Sequence, residues 1–174
     1  MSIRIIPAVS SLLVAAFLLG GCIKANTPPP LPEMTQLQVR QMQTREYQSG
    51  SEKEVMKALV AALLDEGYIV SSADMDLGLI SAAKESYELD EDTKNFMEFN
   101  YGVGKGTYQT TKRLEASTTV RQHNDVIRVR VNIIAKALNN NGGIIWSQPV
   151  YDLETYQRLF SKVDKAVFLE REKI

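Results

Sequence analysis

Cys22 is the only thiol in the chain and His123 the only imidazole. Zinc and copper sites draw on clusters of such ligands, so one of each removes most of them. His123 stands beside Asn124 and Asp125, where the strand pattern predicts a hairpin tip. A Ser-His-Asp arrangement needs its histidine held by a carboxylate next to a nucleophile. A turn tip does not supply that enclosure. Gly102-Val103-Gly104-Lys105-Gly106-Thr107 has the look of a phosphate loop. That motif requires a glycine five places before its Gly-Lys pair, where Phe99 stands. It also requires Ser or Thr after the lysine, where Gly106 stands. Asp74 and Asp76 begin like a calcium loop, but the chain turns apolar at Leu79-Ile80 where oxygen ligands should continue. Glu88, Asp90, Glu91 and Asp92 read as a solvated acidic loop rather than an ion site. These residues predict neither a catalytic centre nor a metal or cofactor site.

The position of Cys22 is more informative than its reactivity. Arg4 precedes an apolar run over residues 5–19, and the small residues Gly20-Gly21 close it. A charged start, an apolar middle and a small-residue end make a secretory signal over residues 1–21. The run is too short for a membrane-spanning helix, which needs about 20 apolar residues. A secreted chain with one unpaired thiol invites wrong disulfides, so the residue needs a reason. A plain signal with an incidental cysteine is the competing reading. Leu19-Gly20-Gly21-Cys22 resembles the lipobox of bacterial lipoproteins. The resemblance implies that Cys22 is diacylated on sulfur, becomes the N-terminus and is acylated on its amine. Several acyl chains anchor stably where one is marginal. Ile23 and Lys24 follow, not the aspartate that favours inner-membrane retention. The resemblance therefore implies an outer-membrane anchor with the domain facing the periplasm.

About 150 residues remain after the signal, enough for one domain. The chain is 44% hydrophobic and 24% charged, with a formal net charge of -1. Such a balance argues against nucleic acid as a partner, since that calls for a basic stripe. Without disulfides the domain must be held by its own core. The run Thr27-Pro28-Pro29-Pro30-Leu31-Pro32 favours polyproline II. Residues 23–36 are thus expected to be a semi-rigid spacer reaching roughly 30 to 40 Å. A proline-rich ligand for some groove is the alternative. The lipidated cysteine and tether are assigned residues 22–42, and a single domain residues 43–174.

Within that domain a first strand is expected over 43–48. Ser51 and Glu54 form a capping box, and 52–66 carries helical apolar spacing at Val55, Met56, Leu59, Val60, Leu63 and Leu64. Gly67 fits a C-terminal cap. Strands follow at 68–72 and 77–84 around an acidic turn. Residues 88–110 read as a long mobile loop or flap that can hold a helical turn, with Phe96, Phe99, Tyr101, Gly102, Gly104 and Gly106 as its aromatic and glycine parts. Residues 113–121 and 127–136 alternate apolar and polar, the mark of an antiparallel sheet with one solvated face. Asn139 to Gly143 is a turn, 144–148 a last strand stopped by Pro149, and the stretch from Asp152 an amphipathic helix. Trp146 and Tyr151 read as core and rim aromatics.

The expected fold is α+β, with order β-α-β-β-β-β-β-α. Its antiparallel sheet has five to six strands, with two helices on one face and the other face open. This order, the lipobox and the run from Asp74 through Gly78 to Ile80 (Asp-x-x-x-Gly-x-Ile) resemble the helix-grip domains of lipoprotein component C of the outer-membrane β-barrel assembly machinery. That protein has two such domains and this chain one, so its partners are not carried over. More generally the chain resembles small outer-membrane lipoproteins of Gram-negative bacteria. The expected function is a non-enzymatic accessory or scaffold subunit binding envelope proteins. Arg113, Arg121, Arg128 and Arg130 would form a basic surface for an acidic partner or anionic headgroup. The alternative is a pocket for a lipid or small hydrophobic ligand, with 88–110 as its lid. No nucleotide is expected as a partner.

Overall fold

The computed structural model describes residues 27–48 and 50–172; the signal, the lipobox and Cys22 lie outside them. The chain runs α1 (Gln36–Met42), β1 (Thr44–Tyr47), α2 (Glu52–Asp65), β2 (Ile69–Asp74), β3 (Leu79–Tyr87), α3 (Glu91–Tyr101), β4 (Gln109–His123), β5 (Val126–Asn139), β6 (Ile144–Pro149) and α4 (Leu153–Glu172). This is the expected α+β fold with an open antiparallel sheet, with two helices more than the sequence pattern gave. Strands β2 to β6 form a meander, each pairing with the next. The long β5 carries two partners on one edge: β1 along Ile127–Arg130 and β6 along Ile134–Leu138.

Local chemistry explains the elements. Ser51 and Glu54 complete the capping box of α2, satisfying backbone donors that the first turn cannot pair. At its other end Gly67 adopts φ +81. The Gly67 N–H then donates to the Leu64 carbonyl, and the Tyr68 N–H to the Leu63 carbonyl. This paired closure satisfies carbonyls left over at a helix end. The remaining carbonyls receive cations from other elements: Lys84 Nζ reaches Glu66 O at 3.1 Å and Lys162 Nζ reaches Asp65 O at 3.0 Å.

Helices α2 and α4 lie together on one face of the sheet. Val55, Met56, Leu59 and Leu63 of α2 and Tyr156, Leu159, Phe160 and Val163 of α4 are buried there. They meet Ile80, Ala82, Ala116, Val120, Ile127, Val129, Val131 and Ile133 from alternate positions of β3, β4 and β5. Helix α1 was expected to be spacer. Instead its capping box (Thr35, Gln38) starts a turn that buries Val39 and Met42, and Met34 packs on the core.

Glu66 locks the two helices. Its side chain is only 10% exposed and meets Arg158 at 3.2 Å and Lys162 at 2.8 Å. Burial pushes the carboxyl up, but hydrogen bonds from Lys162 and Arg158 outweigh it and hold the group below its ordinary value of 4.5. A depressed carboxyl stabilises the fold above that value and loses its contribution as pH falls through the folded-state value. Glu66→Gln should cost about 1–2 kcal/mol at pH 7, reduced from a fully buried case because both cations are partly solvated. Denaturant unfolding at pH 7 and at pH 3 checks this, since the gap between variant and wild type should narrow in acid.

Candidate partner-binding surface

The sheet face opposite α2 and α4 carries the polar half of each alternation. Register decides which side chains meet there. Arg121 faces Arg128 across the β4–β5 ladder, Thr119 faces Arg130, Ser117 faces Asn132, Glu115 faces Ile134 and Arg113 faces Lys136. Leu79 and Ser81 of β3 stand beside Thr119 and Ser117. On the other side Glu46 stands beside Arg128 and Thr44 beside Arg130.

The four arginines therefore share one face, but they do not make a uniform basic stripe. Arg128 gives two guanidinium N–H bonds to Glu46 Oε1, at 2.7 and 2.9 Å. Arg113 lies 3.3 Å from both Glu85 and Glu115, and Glu115 also takes Lys136 at 2.7 Å. Cross-strand pairing of opposite charges explains the arrangement. The neutralising carboxylates Glu46 and Glu85 come from β1 and β3, whose register a single sequence does not disclose. Arg121 is exposed with no carboxylate in ion-pair range among the described residues. Arg130 is held by a neutral partner: its Nη2 donates to Gln43 Oε1 at 3.2 Å.

Gln43 is the positioning group that the sequence reading missed. It is 2% exposed. Its side-chain Nε2 donates to Asn132 Oδ1 at 2.9 Å, and its backbone carbonyl accepts from the Val131 N–H. A buried amide must be paired to be tolerated, and here it aligns Arg130 and Asn132 without cancelling the arginine's charge. These two residues form the ridge between two shallow hollows. One, of about 430 Å³, is bounded by Leu79, Ser81, Ser117 and Thr119. The other, of about 340 Å³, is bounded by Val39, Ile134, Ser147 and Tyr151. The surface thus offers two cations, hydroxyls and an amide, with Leu79 and Ile134 partly exposed as apolar contacts.

The segment read as a loop over 88–110 contains an 11-residue helix, α3. Asp90 caps α3 by accepting from the Thr93 N–H at 3.0 Å, so Phe96, Phe99 and Tyr101 sit on an ordered turn. Phe99 is 89% exposed, and α3 buries none of its residues. Gly102, Gly104 and Gly106 all take positive φ after it. Asn140 ties this return to the β5–β6 turn, donating Nδ2–H to Gly106 O at 3.2 Å and its N–H to Tyr108 O. Among the described residues no group of His, Cys, Asp or Glu is placed to hold a metal ion, and no helix is long and apolar enough to cross a membrane. Neither protein-family models nor curated proteins give a match to this chain.

Proposed function

We propose that this chain is a lipoprotein anchored through Cys22 in the outer membrane, with its α+β domain in the periplasm as a non-enzymatic accessory subunit that binds other envelope proteins. The observation carrying this reading is the sheet face left open among the described residues, where Gln43 presents Arg130 and Asn132 beside Arg121, which has no ion-pair partner among them. An ordered Arg130 on an open face suits an acidic partner surface, because buried Gln43 fixes its geometry before contact. The interior supports this reading over a ligand pocket. Tyr156, Met56, Leu59, Leu63, Ile133 and Val163 are fully buried between helices and sheet. These side chains fill the space between the two helices and the sheet that such a ligand would occupy.

In-cell crosslinking of the lipidated protein tests the reading, comparing wild type with Arg121→Glu/Arg130→Glu. Arg121→Glu lies on the solvated face, while Arg130→Glu also removes the donor to buried Gln43 and should cost about 1–3 kcal/mol, so the melting temperature of the variant is measured first to establish that it is folded. Recovery of a defined set of envelope proteins should fall at least about tenfold in the variant, equivalent to 1.4 kcal/mol of binding. Equal recovery by both proteins removes this surface as the contact.

A further inference from the structure

The proline run does not stand clear of the domain. The helix-facing side of the sheet continues past Ile133 and Ala116 with Ala135, Leu114, Trp146 and Gln148, beyond the main core. Pro29, Pro30, Leu31 and Pro32 lie over this end, and a cleft of about 320 Å³ runs between them, Trp146, Tyr151 and Val150. Gln148 Nε2 donates to the Pro29 carbonyl at 3.1 Å.

The chemistry is that of polyproline recognition. A left-handed segment makes no internal hydrogen bonds and offers its carbonyls outward. Proline also brings no N–H that burial would leave unpaired. Grooves that read such segments combine flat aromatic walls with side-chain donors to those carbonyls. Trp146 and Tyr151 supply the walls, and Gln148 the donor. A polyproline II segment has three residues per turn, which would put Pro29 and Pro32 on the same edge, as P-x-x-P spacing requires.

We propose that the Trp146–Tyr151–Gln148 groove is a binding site for P-x-x-P segments, and that its resident occupant is Pro29–Pro32 of the same chain. The inference stands on the groove and not on the anchor reading.

Trp146 is the only tryptophan in the chain, so its fluorescence reports the groove directly. The test compares the full chain with Pro29→Ser/Pro30→Ser/Pro32→Ser, using a synthetic Thr27–Pro32 hexapeptide as probe. The variant should show red-shifted Trp146 emission, and added hexapeptide should restore the wild-type spectrum. In wild type the groove is already filled by the same sequence at an effective concentration of about 1 mM, so added peptide should leave its spectrum unchanged. Gln148→Ala in the variant background should weaken the restoration. An unchanged spectrum in the proline variant overturns the proposal. A shifted spectrum that the peptide cannot restore also overturns it, because the proline run would then be a passive cover with no recognition.

Discussion

Gly78→Ala is expected to lower stability by at least about 3 kcal/mol and the melting temperature by about 10 °C. Two independent causes act at one position. The residue takes φ +59, where a Cβ costs about 1–2 kcal/mol by itself. An added Cβ would also stand 2.2 Å from the Val120 carbonyl oxygen. That oxygen belongs to backbone in the middle of the sheet and cannot swing aside, and the Gly78 carbonyl is itself bonded to the Val120 N–H at 2.8 Å. Gly67 is the internal control. It is also left-handed, at φ +81, but nothing lies within 4 Å of its would-be Cβ. Gly67→Ala should therefore cost only the conformational part, about 1 kcal/mol. Thermal unfolding of the two variants side by side separates strain from collision. Equal losses would show that the approach of β4 to the turn carries no weight.

The same turn shows why some of this fold can be read from one sequence. Asp74 accepts from the Asp76 and Leu77 N–H groups through Oδ1, and Gly78 follows. Acidic residue, short spacing and glycine carry the turn locally, so the β2–β3 hairpin was legible. The β4–β5 pair was legible because one face is buried and the other solvated, which forces alternation along both strands. Helix α3 was legible only as a helical turn within a loop, since it buries nothing and so imposes no apolar period. Its only signal was Asp90 three residues before Thr93, followed by acids in the first turn, a cap without a core face. Helix α1 hid for a related reason: two buried residues in seven are too few to establish a period, although Thr35 and Gln38 spell a capping box.

The surface divides along the same line. That four arginines share a face follows from parity along β4 and β5, and the sequence suffices for that. Which of them keeps its charge depends on Glu46 and Glu85, brought in by strands whose neighbours only the tertiary fold decides. Gln43 is the extreme case. Its effect on Arg130 and Asn132 spans 87 and 89 residues of chain, and no local pattern announces it. The proline run was legible as polyproline, while its seat was not, because the groove assembles from β4, β5, β6 and the start of α4.

The second large effect belongs to Tyr156, which pins α4 to the sheet. Its side chain is fully buried. The hydroxyl donates to the Val150 carbonyl at 3.1 Å and accepts from the Ile133 N–H at 3.3 Å. Tyr156→Ala removes a ring from a filled core and should cost about 4 kcal/mol. Tyr156→Phe keeps the ring but leaves a buried donor and a buried acceptor short of a partner, and should cost about 1–2 kcal/mol. The ratio tests the division of labour: if Phe is as costly as Ala, the hydroxyl bridge holds the helix, and if Phe costs nothing, packing alone does. Alkaline pH supplies a further check. Burial pushes the Tyr156 hydroxyl up, and burial likewise raises Tyr68 to about 12. Tyr47 is raised as well, first by burial and then by its bond to Asp164. Groups with raised folded values contribute fully below the ordinary tyrosine value of 10, and that contribution is lost as pH rises above it. Wild type should thus lose stability progressively from pH 10 upward, and Tyr156→Phe should lose it with a shallower slope over the same range. An identical slope in both proteins would mean that the Tyr156 hydroxyl ionises as freely in the folded chain as in the unfolded one, which a buried hydroxyl bonded to backbone cannot do.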